Sequence, residues 1–258
     1  MREQQQDSCS IETLPDSRGT LMLVCDGIGG APAGDVASGL ARLHFVEYVR
    51  RHAEEPIASV LQQALQYTNE QLELHTQLYT RHRGMGTTLT AAWIRGAELW
   101  WISVGDSPLW LWHKARLQRL NADHSGRAQQ DHNGEQAKWF QRLQENRLSS
   151  SLQGRAISKI DANRHPRRLS SGDQILIASD GLLSLTQAQV NHQLTVSTDV
   201  QQGSEGLITA LKQQADEQQD NTAIALARLG SHRPLRIRHA VALLSLLLIG
   251  SSLALLLT

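Results

Sequence analysis

Apolar and polar positions follow two patterns along the chain, and together they predict a fold that mixes strands and helices. Short, nearly continuous apolar runs are typical of strands, and they cover residues 20–26, 87–94, 98–104, 108–113, 115–120, 173–179 and 221–229. Apolar residues at helical spacing predict helices over residues 34–52, 56–80 and 205–216. Several strands follow one another without a helix between them, which favours antiparallel sheets flanked by helices.

The C-terminal stretch has a third pattern. Residues 240–258 contain no charged side chain, and this length is close to that of a helix that crosses a bilayer. Arginines precede the run and no charge follows it, so the positive-inside rule predicts a single-pass tail anchor in the cytoplasmic membrane, with the catalytic part in the cytoplasm. A buried core helix is the alternative interpretation. The predicted division is a domain over 1–229, a basic linker over 230–239 and a transmembrane helix over 240–258.

Charge and composition exclude one class of partner. The 25 basic side chains balance the 25 acidic ones, and the pI is near 7.2. A nucleic-acid-binding protein is expected to carry a basic patch, so we expect no nucleic acid among the partners. The hydrophobic content of 40% is enough for a core in a chain of 258 residues.

Acidic residues stand where predicted strands begin or end. Asp26, Asp106 and Asp180 each follow an apolar run, and Asp220 comes directly before one. If these strand ends share one end of a sheet, the carboxylates form a cluster of like charges that needs protons or cations between them. Oxygen ligands favour hard cations such as Mg²⁺ or Mn²⁺. The pattern therefore predicts a site that holds several metal ions, and metal-assisted hydrolysis is the commonest use of such a site.

The order of these motifs resembles the metal-dependent serine/threonine protein phosphatases of type 2C. The matching pieces lie at residues 2–7, 26–30, 86–88, 104–107, 179–182 and 220–221. Ile28 stands where eukaryotic members place a histidine, so the resemblance is to the bacterial type. The resemblance implies an α+β fold, in which a central antiparallel β-sandwich lies between helical layers and carries the metal site at one end.

The resemblance also assigns roles to the acidic residues. Asp26 is similar to the carboxylate that bridges two metal ions, and the carbonyl of Gly27 would reach the second ion. Asp180 and Asp220 resemble the ligands of the first ion. Asp7 resembles the acidic residue that orients the metal-bound waters.

Three further positions complete the implied site. Asp106 matches a ligand of a third ion in bacterial members, and Arg2 matches the arginine that binds the phosphoryl group. Asp123 and His124 stand where the family has a similar pair, and two interpretations remain open for them: a solvated turn, or a role near the third ion. The family normally has one more strand before the arginine, so either the start lies upstream of Met1 or the sandwich lacks an edge strand.

The function implied is hydrolysis of phosphoserine and phosphothreonine in cytoplasmic proteins, by a hydroxide held between two Mn²⁺ or Mg²⁺ ions, with a third ion as an option. The expected partners are phosphorylated proteins and an opposing serine/threonine kinase. One alternative is a catalytically weak pseudophosphatase that binds phosphoproteins at the membrane. A second alternative is a small-molecule phosphohydrolase with the same mechanism.

Overall fold

The computed structural model describes residues 5–28, 33–125, 148–214, 220–230 and 237–244, and it contains two antiparallel sheets with helices outside them. In chain order the elements are β1 (Asp7–Leu14), β2 (Gly19–Asp26), α1 (Gly34–Arg51), α2 (Ile57–Leu78), β3 (Leu89–Arg95), β4 (Glu98–Val104), β5 (Leu109–His113), β6 (Arg116–Arg119), β7 (Asp161–Ala162), β8 (Arg167–Arg168), β9 (Gln174–Ala178), α3 (Gln187–Val196), α4 (Val200–Gln214), β10 (Thr222–Leu229) and β11 (Ile237–Leu244).

Each sheet is assembled from strands that are distant in the chain. The first sheet has the order β1-β2-β3-β4-β7, and β8 also pairs with β4. The second has the order β11-β10-β9-β5-β6. All of these pairings are antiparallel. The segment between β4 and β5 therefore connects the two sheets.

Three apolar layers explain why these strands read as continuous apolar runs. In β2, Leu21 and Leu23 pack among the residues of α1 and α2, whereas Met22 and Val24 pack between the two sheets. A third cluster lies between the second sheet and the helices α3 and α4. Because strands buried on both faces need apolar residues at every position, their sequences do not alternate. The predicted sandwich between helical layers is confirmed.

The sequence-based elements agree with the structure except in a few places. The three predicted helices and seven predicted strands are present, with ends that differ by a few residues. The structure adds β1, the short strands β7 and β8, helix α3 and strand β11. Strand β1 was missed because its sequence, DSCSIETL, carries polar residues at most positions.

The C-terminal run starts as a strand rather than as a helix. Strand β11 pairs antiparallel with β10 along its whole length, with Thr222 opposite Leu244 and Leu229 opposite Ile237. Ala240 is buried in the cluster under α3 and α4. The prediction of a helix beginning at Ala240 is wrong for residues 240–244, and residues 245–258 lie outside the described part of the chain. Among the described residues, no helix has the length and apolar character needed to cross a bilayer.

Because β11 forms the edge of the second sheet, removing it should destabilise the domain. A chain ending at residue 236 would expose the edge of β10, and we expect its free energy of unfolding to fall by roughly 2 kcal/mol or more, since several net hydrogen bonds of about 1 kcal/mol each are lost. Chemical denaturation of this chain beside one ending at residue 244 measures the difference. Equal stabilities would contradict the assignment of β11 to the folded domain.

Candidate metal centre

Two carboxylates of the first sheet lie directly opposite each other. Asp7 is the first residue of β1 and Asp26 is the last residue of β2, and antiparallel pairing makes them partners across the two strands. The side chains of such partners lie on the same face of a sheet at close range. Asp106 lies at the same end of this sheet, two residues beyond the end of β4. The backbone therefore gathers three of the predicted site residues.

The second sheet contributes two more carboxylates at the same end. Asp180 opens a 3₁₀ turn, Asp180–Ser184, directly after β9, and Asp220 lies just before β10. Because β9 and β10 are antiparallel neighbours with Ala178 opposite Ile224, the end of one strand meets the start of the other. The five predicted acidic residues thus converge from both sheets.

Hydrogen bonds join the two sheets at this end. The hydroxyl of Ser179 donates to Oδ2 of Asp7 over 2.6 Å and accepts from the backbone N–H of Ala223 over 2.9 Å. The backbone N–H of Asp180 points at Oδ2 of Asp26 over 3.4 Å. Ser179 is fully buried, so its hydroxyl fixes Asp7 of the first sheet to the strand ends of the second.

The electrostatics of the cluster are those of like charges held together. Burial, followed by the charges of Asp180 and Asp220, raises the pKa of Asp7 from 3.8 to about 7, although the bond from Ser179 lowers it. Burial and the charges of Asp7, Asp180, Asp106 and Asp220 raise the pKa of Asp26 well above its ordinary value. The charge of Asp7 is the largest of these charge effects on Asp26, and a proton or a cation between the two carboxyl groups would relieve it.

The backbone around Asp26 is held by two threonines. The N–H of Asp26 donates to Oγ1 of Thr88 over 3.0 Å, and its carbonyl accepts from Oγ1 of Thr87 over 2.9 Å. The Thr88 hydroxyl also bonds the Ser107 hydroxyl over 2.8 Å, which links the Asp26 backbone to the segment after β4. Both threonines therefore support the backbone of Asp26 by hydrogen bonds on either side of its side chain.

Gly27 is required by close packing of the backbone. A Cβ atom at this position would lie 2.4 Å from the carbonyl oxygen of Gly34 and 2.6 Å from that of Gln6. The Gly27 N–H donates to the same Gln6 carbonyl over 3.0 Å. Any side chain would therefore displace the segment that carries Asp26.

The oxygen donors of this cluster are of the kind that suits a hard cation. The carboxylates of this cluster and the Gly27 carbonyl are oxygen donors of the kind that Mg²⁺ and Mn²⁺ bind. The other four carboxylates of the cluster each raise the pKa of Asp26, and a cation among them would relieve that repulsion. Within the described ranges, no group of three or more histidine, cysteine, aspartate or glutamate side chains is positioned to hold an ion.

The remaining predicted positions have different outcomes. Arg2 lies outside the described residues, so its role stays a prediction. His124 is buried, and its backbone and ring bond Gly105 beside Asp106, so the solvated turn is the wrong interpretation for this histidine. Ser179 lies inside the matching piece 179–182, but the sequence pattern does not indicate its role, because its bond to Asp7 spans 172 positions of the chain. The sequence also does not identify Asn121 as a functional residue. Its one sequence signal is that it is a polar residue directly after the predicted strand 115–120.

Comparisons with known proteins match the chain to one family. A family model described as "Protein phosphatase 2C" matches residues 2–225. The serine/threonine phosphatase stp of Listeria monocytogenes is 28% identical over 210 residues, which cover 72% of this chain and 75% of that protein.

Solved structures share the fold. The serine/threonine phosphatase MsPP of Mycobacterium smegmatis, solved with cacodylate, is 26% identical with a TM-score of 0.70, covering 89% of this chain and 94% of that one. The catalytic domain of the phosphatase PstP, solved with 2 manganese ions, is 23% identical with the same TM-score, covering 88% and 92%. At 23% identity, the likeness to PstP shows that the two chains share a fold and shows nothing more.

The raised pKa values predict how stability depends on pH when no metal ion is bound. A carboxyl whose pKa is higher in the folded than in the unfolded state binds extra protons when folded, so its contribution to stability is lost as the pH rises from about 4 towards the raised value. Asp26→Asn removes one such group. With a chelator present, the melting temperature of this variant should therefore rise relative to that of the wild type as the pH increases through this window.

Asp16→Asn is the matched control, because Asp16 is exposed in a turn and has a positive φ that asparagine adopts readily. Its difference from the wild type should stay constant with pH. Thermal denaturation between pH 4 and 8 measures both variants. A difference for Asp26→Asn that shrinks as the pH rises would contradict the electrostatic description of the cluster.

Proposed function

The chain belongs to the protein phosphatase 2C family, and on that premise we propose that it hydrolyses phosphoserine and phosphothreonine in proteins with the help of Mn²⁺ or Mg²⁺. The observation that carries this proposal is the convergence of five buried or half-buried carboxylates from both sheets at one end of the sandwich. A structural role alone gives no reason to hold so many like charges together, because their repulsion destabilises the fold.

Residues of the cluster divide into ion ligands and supports. Asp26, Asp180 and Asp220 would hold two ions together with the carbonyl of Gly27, and Asp106 would serve a third. When bound, such ions supply an activated water molecule near neutral pH and offset the charge of the phosphoryl group. Asp7 is fixed through Ser179 and lies beside Asp26, so it is placed to orient water at the ion ligands.

Proton donation to the leaving oxygen would not come from the residue after Gly27. Ile28 has an aliphatic side chain, and its N–H donates to the carbonyl of Gly86 over 3.0 Å. A side chain without a dissociable proton cannot act as a general acid. Water in the site would therefore protonate the serine or threonine oxygen, and Arg2, by resemblance, would bind the phosphoryl group.

Membrane attachment and the opposing kinase form a finer part of the proposal. The apolar composition of residues 240–258 and the arginines before them support a tail anchor with the catalytic domain in the cytoplasm. The strand pairing of residues 240–244 counts against an anchor that begins at Ala240. A serine/threonine kinase acting on the same substrates is expected from the chemistry of the reaction, which only removes phosphate.

A phosphoprotein-binding module without turnover is the second candidate. In such a module the site would bind a phosphorylated partner and release no phosphate.

The deciding experiment measures phosphate release from a phosphothreonine peptide with and without Mn²⁺. We expect release that depends on the ion, and a decrease of roughly 100-fold or more in Asp26→Asn, because that carboxylate lies at the centre of the cluster. Asp16→Asn should retain the wild-type rate, since Asp16 is exposed in the turn between β1 and β2.

Each other outcome selects a different function. Binding of the phosphopeptide without release of phosphate would support the binding module. Faster turnover of a small aryl phosphate than of any phosphopeptide would favour a small-molecule phosphohydrolase. Full activity of Asp26→Asn would refute the assigned chemistry.

A further inference from the structure

The segment that carries Asp106 is bound on one side by a cluster of polar residues from a later part of the chain. Asp106 lies in the short connection between β4 and β5, residues 105–108. The polar cluster, which we call the 119–124 clamp, comprises Arg119, Asn121 and His124, and its hydrogen bonds reach the backbone on both sides of Asp106.

His124 fixes the residue before Asp106. Its backbone N–H donates to the carbonyl of Gly105 over 3.1 Å, and the N–H of Gly105 donates to its ring Nδ1 over 3.2 Å. Gly105 has a φ of 107°, in the region that favours glycine, and a Cβ there would lie 2.5 Å from Cγ2 of Thr88. The turn into Asp106 therefore has one tightly defined conformation.

Arg119 binds Asp106 itself through the backbone. Its Nη2 donates to the Asp106 carbonyl over 2.8 Å, while its Nη1 forms an ion pair with Asp123 over 2.8 Å. The ion pair orients the guanidinium, so the bond to Asp106 comes from a fixed donor.

Asn121 binds the residues after Asp106 with both ends of its amide. Its Oδ1 accepts from the N–H of Leu109 over 2.8 Å, and its Nδ2 donates to the carbonyl of Ser107 over 3.0 Å and to the hydroxyl of Ser103 over 3.2 Å. The Asn121 side chain is buried, so these bonds are protected from water.

These contacts oppose an electrostatic force. Asp106 is one of the charges that repel the carboxylate of Asp26, and a connection of four residues without support would relax away from that charge. The clamp bonds to residues 105–109 all go to backbone atoms, so they fix the backbone on both sides of Asp106.

We infer that Asn121, assisted by Arg119 and His124, is a positioning residue that holds Asp106 where its carboxylate can bind a metal ion. The inference rests on the proposed function, since it needs Asp106 to be an ion ligand. Loss of the clamp is therefore expected to weaken one class of ion and leave the ions at Asp26 in place.

The test compares two asparagines that make the same kind of contact. Asn163 also binds backbone with both ends of its amide, accepting from the N–H of Trp101 over 2.8 Å and donating to the carbonyl of Leu99 over 3.1 Å. These atoms belong to β4, the strand before Asp106, but lie towards its other end. Asn163→Ala thus removes a half-buried amide that bonds backbone at both ends, without touching the Asp106 segment.

Calorimetric titration of the full chain with Mn²⁺ gives the number of ions bound and their affinities. In Asn121→Ala we expect the class of ion that depends on Asp106 to lose roughly 10- to 100-fold in affinity, the range seen when residues that orient ligands are removed. Asn163→Ala should titrate like the wild type, even if both variants lose similar thermal stability. Asp106→Asn should abolish the same class, and combining it with Asn121→Ala should cause no further loss.

Arg119→Met provides a second variant if Asn121→Ala does not fold, because it removes one bond to Asp106 and keeps an apolar stem. It should weaken the same class of ion. Titration curves of Asn121→Ala or Arg119→Met that match Asn163→Ala, while Asp106→Asn loses an ion, would overturn the inference and leave the proposed function standing. A wild-type chain that binds no Mn²⁺ would overturn both.

Discussion

The structure depends on keeping several carboxylates close together in a place that excludes most water. Asp7 and Asp26 are neighbours across two strands, and the charges of Asp180 and Asp220 reach them from the other sheet. This arrangement costs free energy, because burial and repulsion both disfavour the ionised forms. The packed layers on both faces of each sheet supply the opposing free energy, since the strand ends cannot separate without breaking those layers. A cation would turn the same repulsion into attraction.

Backbone geometry, rather than any single side chain, brings the acidic residues together. Antiparallel pairing places the start of one strand beside the end of its neighbour, so Asp7 meets Asp26 and the end of β9 meets the start of β10. Ser179 then bonds across the gap between the sheets. This explains how acidic residues that lie up to 213 positions apart in the sequence, from Asp7 to Asp220, can meet at one end of the sandwich.

Most of the fold and of the acidic site could be predicted from the sequence, because both leave local patterns. Strands such as β2 and β9 are buried on both faces and read as apolar runs, and every carboxylate of the cluster except Asp7 stands beside such a run. Strand β1 could not be found in this way, since polar residues occupy most of it. Ser179 and Asn121 gain their importance from partners that folding brings near, and no spacing in the sequence records those contacts.

The C-terminal run shows that hydrophobicity alone does not determine secondary structure when the tertiary contacts of a segment are unknown. An uncharged, largely apolar run satisfies a bilayer and the interior of a protein equally well, so composition cannot separate a membrane helix from a strand such as the second half of β11. The backbone decides between them, because a peptide N–H that bonds across to β10 cannot also bond four residues back along a helix. Residues 240–244 are paired with β10. A helix that included them would have to detach them from the sheet and leave the edge of β10 open, which ties any membrane insertion of these residues to the integrity of the strand that follows Asp220.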